Sequence, residues 1–352
     1  MTDPAAGSKS LVDFVKGLPK AELHVHLEGS MGPELLLELA RIRGVDLPAD
    51  DPAGLAEWFT FRDFEHFLEI YLTCSRCLRE PEDFERLMLD FAGRQAEQNV
   101  VYSEVHFTIS THVTNGSDGD EIGRALGEAL RVAKRDFGVE IRLIPDIVRN
   151  LSVAAADVTL EWALEHRHQG VVALGLAGKE GASVEPFGEH FAAARAAGLR
   201  TTAHAGEQLG PESIRETLEV CRPERIGHGI AAVEDHSLLA EIVREGIPVE
   251  VCPTSNVCLG YASSLAEHPF DALHRAGVEV SVNSDDPPLF GTSVVAEYCA
   301  LARTFGYSRR QLAALARGAF DQAFLEKRAR RSYLEAFDQH LETRVTPEPS
   351  NG

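Results

Sequence analysis

Short apolar or β-branched runs recur along the chain, and stretches of helical period separate them. The runs fall at 21–26 (AELHVH), 101–109, 139–148 and 171–176, then at 199–204, 225–228, 247–252 and 278–283. They predict eight strands. The run RIGH at 225–228 is weak alone and is read as a strand from its place in the alternation. Between the runs, 120–136, 153–167, 185–197, 233–245 and 266–276 have helical period and are rich in Ala, Leu, Glu and Arg. Several of these end at glycine (Gly138, Gly170, Gly198, Gly246, Gly277), the residue that closes a helix in the left-handed conformation. Repeated strand–helix units imply a parallel sheet. Eight of them predict an α/β fold of the (β/α)8 TIM-barrel type.

The segment 33–99 breaks the rhythm. It predicts four helices near 33–43, 53–59, 63–78 and 81–98, an insertion after the first strand that could form a lid over the C-terminal mouth. Residues 292–341 predict more helix on the outside. The small, polar, Pro-containing ends, 1–10 and 344–352, are expected to fray. No linker or low-complexity stretch divides what lies between, so 11–343 is expected to be one domain. A length of 352 residues with 44% apolar content accommodates a barrel, which needs about 250, with additions.

Charge narrows the field of partners. Lys and Arg number 34 against 55 Asp and Glu, a net charge of −21. So acidic a surface repels nucleic-acid phosphates and anionic lipid, and it suits a small neutral or cationic substrate. It also serves simply to keep a protein soluble. No run of about 18 apolar residues suggests a membrane span. Six sparse cysteines read as reduced thiols, and the first residues lack a secretory pattern, so a cytoplasmic location is expected.

Four motifs carry chemistry, each at the C-terminal end of a predicted strand, where barrel enzymes collect catalytic groups. In His24-Val25-His26-Leu27-Glu28-Gly29, the two histidines lie two apart and so face the same side of a strand. His204-Ala205-Gly206-Glu207 offers a third imidazole and, past a turn, a carboxyl. Arg225-Ile226-Gly227-His228-Gly229 offers an imidazole flanked by glycines that permit a tight turn. Asn283-Ser284-Asp285-Asp286-Pro287 offers adjacent carboxyls pointing different ways. Singly, each motif has a bland alternative: polar strand histidines, a hydrogen-bonded turn histidine, an Asp-Asp-Pro turn. Together, three imidazoles and a carboxylate suit zinc, with iron or manganese as alternatives. Such an ion makes water nucleophilic near neutral pH. His228, Asp285 and Glu207 are then the candidates for proton transfer.

These motifs, with Leu18-Pro19-Lys20-Ala21-Glu22 before the first and Cys252-Pro253-Thr254-Ser255-Asn256, resemble the adenosine deaminase family of the amidohydrolase superfamily. The likeness runs from there to about Pro288. It implies one zinc ion per chain, held by His24, His26, His204 and Asp285. It implies that Glu207 protonates the purine ring nitrogen beside the reacting carbon and that His228 positions and deprotonates the attacking water. Asp286 would orient the attacking oxygen and contact the purine, the Gly178 backbone would hydrogen-bond the ring, and His26 and Glu28 would border the substrate. The expected reaction is hydrolytic deamination of a 6-aminopurine nucleoside.

Two positions bear on the substrate. Adenosine deaminases usually carry Asp where this chain has Glu28, close to the ribose 5′-hydroxyl. Glu is usual in members acting on adenine or on 5′-substituted adenosines. Gly227 before the third-motif histidine follows the nucleoside branch, where the adenine branch often has Asp. The chain thus resembles a nucleoside deaminase with an altered 5′ pocket, with adenosine and aminodeoxyfutalosine as candidate substrates and adenine as the alternative.

Three other chemistries fit these residues less well. A cytidine-type zinc site needs His-x-Glu with Pro-Cys-x-x-Cys. Here Thr73 stands where Pro is required, and Cys74 and Cys77 fall in a helical pattern. A two-metal hydrolase needs a bridging ligand at strand four, which here ends Gly175-Leu176-Ala177-Gly178. A catalytically silent barrel is opposed by the presence of every ligand and acid/base position. The other histidines (His66, His106, His112, His166, His168, His340) read as surface or outer residues, with His106 and His112 the two that could border the pocket.

Overall fold

Eight parallel strands lie in strict chain order around a barrel: β1 (Lys20–His26), β2 (Val100–Phe107), β3 (Glu140–Val148), β4 (Ala173–Ala177), β5 (Arg200–Ala205), β6 (Arg225–His228), β7 (Val249–Val251) and β8 (Val280–Val282). The structure is a computed structural model and describes residues 4–344. Of the ends expected to fray, 1–3 and 345–352 fall outside those residues, whereas 4–10 open the first helix, α1, which spans Pro4–Gly17. The ring closes where Val25 bridges Asp285 and the His26 N–H donates to the Asp285 carbonyl at 2.9 Å. The ladder at β8 is short because a side chain continues it: the Asn283 carboxamide oxygen accepts from the Leu23 N–H at 2.8 Å.

Strand β1 is buried throughout, and its alternation sorts chemistry from packing. Leu23 and Val25 pack in the hydrophobic core between strands and helices, while Glu22, His24 and His26 occupy the opposite face. The barrel interior is polar below the mouth. Arg225 is fully buried between Glu104 and Glu250, with its guanidinium 3.6 Å from the centroid of the Phe324 ring. A buried charge is tolerated only with such complete pairing.

Four helices fill the insertion: α2 (Pro33–Arg43), α3 (Pro52–Phe59), α4 (Phe64–Arg76) and α5 (Pro81–Glu97). Three begin with proline in the first turn, where its missing N–H has no partner to lose. Asp51 and Asp63 cap α3 and α4 by accepting from Gly54 N–H (2.7 Å) and His66 N–H (2.9 Å). Helix α4 reaches the mouth. Phe67 stacks on Phe290, just past the β8 loop, with centroids 5.3 Å apart, and the Tyr71 hydroxyl donates to Glu28 at 3.4 Å. Cys74 and Cys77 are buried at the end of α4 and join no metal-ligating cluster among the described residues. Three further helices, Val294–Phe305, Arg309–Gln322 and Lys327–Arg344, follow β8 as expected. Among the described residues, no helix is long and apolar enough to cross a membrane.

Candidate active site

The three histidines expected to bind metal converge at the mouth. The ligand nitrogens of His24, His26 and His204 lie within 4.8 Å of one another. Their orientation is set from behind. His24 Nδ1 bonds Glu250 Oε2 at 2.7 Å, and His204 Nδ1 donates to the Leu176 carbonyl at 2.7 Å. Each therefore presents Nε2 inward. His24 Nε2 is buried with no hydrogen-bond partner, and His26 Nε2 stands 3.2 Å from His204 Nε2. Asp285 Oδ1 lies 3.3 Å from His26 Nε2 and 3.6 Å from His24 Nε2, while Ser255 holds its Oδ2 at 2.6 Å. Three imidazole nitrogens and a carboxylate oxygen gathered in this way, with His24, His204 and Asp285 anchored by outer partners, fit a divalent ion. His228 and Cys252 meet His24 and Asp285 across the same space. Burial pushes the Cys252 thiol well above its ordinary range.

Backbone strain marks the same residues. His228 and Asp285 adopt φ of +59° and +64°, two of the four non-glycine residues at positive φ among those described. Such conformations cost on the order of 1–3 kcal/mol each and persist where the surroundings enforce them. Gly29 shows a different constraint. A Cβ there would lie 1.6 Å from Asp286 Oδ1, so only glycine lets that carboxyl approach the backbone. Gly29→Ala should therefore swing Asp286 away, lowering kcat/KM by roughly 10–100-fold, the equivalent of the 1–3 kcal/mol typical of overpacking. Metal content should stay unchanged, which metal analysis beside steady-state kinetics would check.

His228 is held by a relay not anticipated from its motif. The Phe270 N–H donates to His268 Nδ1 (3.0 Å), and His268 Nε2 bonds the Asn256 carboxamide oxygen (3.1 Å). The Asn256 amide nitrogen in turn meets His228 Nδ1 at 3.1 Å. Assigned from this network, Asn256 donates to Nδ1, and neutral His228 carries its proton on Nε2. That nitrogen lies 3.6 Å from Glu207 Oε1 and 3.9 Å from Asp285 Oδ2. The motif Cys252–Asn256, at the end of β7, thus holds the Asp285 carboxylate through Ser255 and the His228 imidazole through Asn256.

The surroundings of two neighbouring carboxyls favour their acid forms. Burial, reinforced by the charges of Asp285 and Glu180, raises the Glu207 carboxyl despite the opposing pull of His228. Burial and then Asp285 push Asp286 well up. A cleft of 530 Å³ opens beside Glu207, bordered by Leu209, Ala231, Tyr261 and Pro269. Gly178 ends β4 with φ of +93°.

Glu28 is turned into protein rather than toward open space. It is fully buried and accepts from the Thr108 N–H (2.9 Å), the Thr108 hydroxyl (2.5 Å) and His112 Nε2 (3.0 Å), with Tyr71 as a fourth partner. Burial alone would raise its carboxyl, but the bonds from His112 and Thr108 outweigh it and hold the group at about 2. His106 and His112 are not surface residues. Both are buried, and His106 bonds Asp146 at 2.9 Å with its ring 4.5 Å from that of His24. His66 and His166 are buried too, the latter stacked on Trp162 at 4.4 Å.

Comparison with known proteins places this geometry. The family model described as adenosine deaminase matches residues 19–340. The chain belongs to the adenosine deaminase family. It is 38% identical over 349 residues to an aminodeoxyfutalosine deaminase of Streptomyces avermitilis, spanning 98% of both chains. It is also 38% identical over 331 residues to an adenine deaminase of Hahella chejuensis, covering 94% of this chain and 99% of that one. A zinc-bound amidohydrolase of Burkholderia ambifaria superimposes with a TM-score of 0.86 at 25% identity, covering 97% of this chain and 96% of the other. The chain is therefore a deaminase of the metal-dependent aminohydrolase class. Equal identity to relatives with different substrates leaves the substrate to be argued from residues.

Proposed function

We propose that this deaminase removes the 6-amino group of a purine nucleoside extended at its 5′ position, with one zinc ion per chain. The observation that carries the substrate choice is the engagement of Glu28. Thr108 and His112 fill its Oε1, and the Tyr71 hydroxyl stands on its Oε2 at 3.4 Å, so a free 5′-hydroxyl would have to displace Tyr71 to reach it. Gly227 in place of Asp supports a nucleoside over a free base.

His24, His26, His204 and Asp285 would hold the zinc, which when bound supplies a polarised water of lowered pKa. The neutral Glu207 carboxyl faces the ring nitrogen beside the reacting carbon and gives it a proton, so that this carbon accepts an oxygen nucleophile. His228, with its hydrogen on Nε2, donates to that oxygen and stabilises the charge on it. This differs from the base role implied by resemblance alone, because the bond from Asn256 leaves no proton on Nδ1. The Asp286 carboxyl orients the attacking oxygen and contacts the purine, and the Gly178 N–H holds the opposite edge. Helix α4 covers the site and limits its access to water. Of the two protons of the attacking water, one restores the Glu207 carboxyl and the other goes to the amino group, which leaves as ammonia while the water oxygen takes its place.

A spectrophotometric screen tests the reading. Adenine, adenosine, 5′-deoxyadenosine, methylthioadenosine and aminodeoxyfutalosine should be compared by kcat/KM with zinc-loaded protein. A preference of at least about tenfold for a 5′-extended nucleoside over adenosine is expected, a difference of ~1.4 kcal/mol at the transition state. Adenosine as the best substrate would overturn the altered 5′ pocket. Adenine as the best would overturn the nucleoside reading.

A further inference from the structure

The loop that carries Glu207 has no ladder partner of its own, yet it must present a carboxyl to a planar ring with little tolerance. It runs from the end of β5 to the helix Pro211–Val220. A single carboxylate gathers it. Glu180 is buried, and its Oε1 accepts from the Gly206 N–H and the Ser213 hydroxyl. Its Oε2 accepts from the N–H groups of Glu207 (3.1 Å), Gln208 (2.6 Å) and Leu209 (3.1 Å). The Glu180 N–H donates to the Gln208 side-chain oxygen at 3.3 Å, so the grip is mutual. Four consecutive backbone N–H groups converging on one anion form a nest, and charge-assisted bonds of this kind are the strong ones.

We infer that Glu180 is a positioning residue for deamination: its carboxylate fixes Glu207 relative to Gly178, two residues before it, so that both edges of the purine are held by one rigid unit. The inference rests on the reading of Glu207 as the proton donor. Glutamine at 180 would present one oxygen and an amide group to a set of donors. The amide hydrogens would face N–H groups and the nest would open. Aspartate would keep the charge but sit one methylene short of the loop.

The test joins hydrogen exchange to kinetics. In the wild-type protein, the amides of 206–209 should exchange slowly despite lying in a loop. In Glu180→Gln they should exchange at least about 100-fold faster, with the amides of β2 and β3 unchanged. Per folded, zinc-loaded molecule, kcat should fall at least about 100-fold, within the range a general acid contributes. KM should move less than about threefold, and Glu180→Asp should lie between. A residue that only stabilised the fold would lower the melting temperature without this loss of kcat at constant KM. Wild-type amides 206–209 exchanging at unprotected rates would overturn the inference, even if neither variant folds. Fast exchange in Glu180→Gln with kcat unchanged would also overturn it. Failure of the underlying reading looks different: Glu207→Gln would then keep its turnover whatever Glu180 does.

Discussion

Glu207→Gln is expected to lower kcat by about 10²–10⁴-fold, the usual contribution of a positioned general acid, with KM nearly unchanged. Glutamine keeps the shape of the side chain and can still donate a hydrogen bond, but it has no proton to transfer. The loss therefore appears in the chemical step rather than in binding. The environment explains why a carboxyl can do this work near neutral pH. Burial disfavours the carboxylate, and the nearby charges of Asp285 and Glu180 disfavour it further, while His228 pulls the other way. Because the carboxyl is raised, its acid form persists to higher pH than for a free glutamate. Activity should fall as pH rises through the raised value, and the variant should lose that limb of the profile. Steady-state kinetics across pH on both proteins would show it. A variant within tenfold of wild type, with the same alkaline limb, would remove Glu207 from the chemistry.

Much of this site was legible in the chain because barrel topology turns strand ends into one place. Alternation in β1 puts His24 and His26 on one face. Motifs ending β1, β5, β6 and β8 then meet without any further information. The insertion was legible too, since Pro33, Pro52, Pro81, Asp51 and Asp63 punctuate its helices locally. What stayed hidden depends on contacts between distant segments. Glu250 behind His24 is separated from it by 226 residues, and Glu28 from its partner His112 by 84. Neither spacing has a local signature, and the sequence goes no further than placing His112 beside the pocket. The Asn256–His228 bond spans 28 residues, and nothing local to the CPTSN motif signals it or the tautomer it imposes. Glu180 lay two residues past Gly178 in the sequence, but nothing in that spacing says that a carboxylate collects four amides of another loop.

Loss of the metal should have the largest effect of all. Stripping the ion with a chelator, or replacing His24 with alanine, is expected to reduce turnover by on the order of 10⁴-fold or more, since water without it keeps a pKa of ~15.7 rather than ~7. His24 is the informative position because its Nε2 is buried without a protein partner, while its Nδ1 is committed to Glu250. Such an atom is costly to bury unless something completes it. Alanine would also leave Glu250 facing a void, with Arg225 and Thr202 as its remaining partners. The consequences should extend to stability. An ion present at a thousandfold its Kd adds about 4 kcal/mol to the folded state, so chelation should lower Tm by several degrees, and zinc should restore both Tm and turnover. His24→Ala should bind less than about a tenth of the wild-type zinc and fail to respond to its addition, since it removes one of the four ligands proposed. Metal analysis, calorimetry and the deamination assay on the same samples would decide it. Full zinc content in His24→Ala would place the ion elsewhere, with the His228, Cys252 and Asp285 group the next to test.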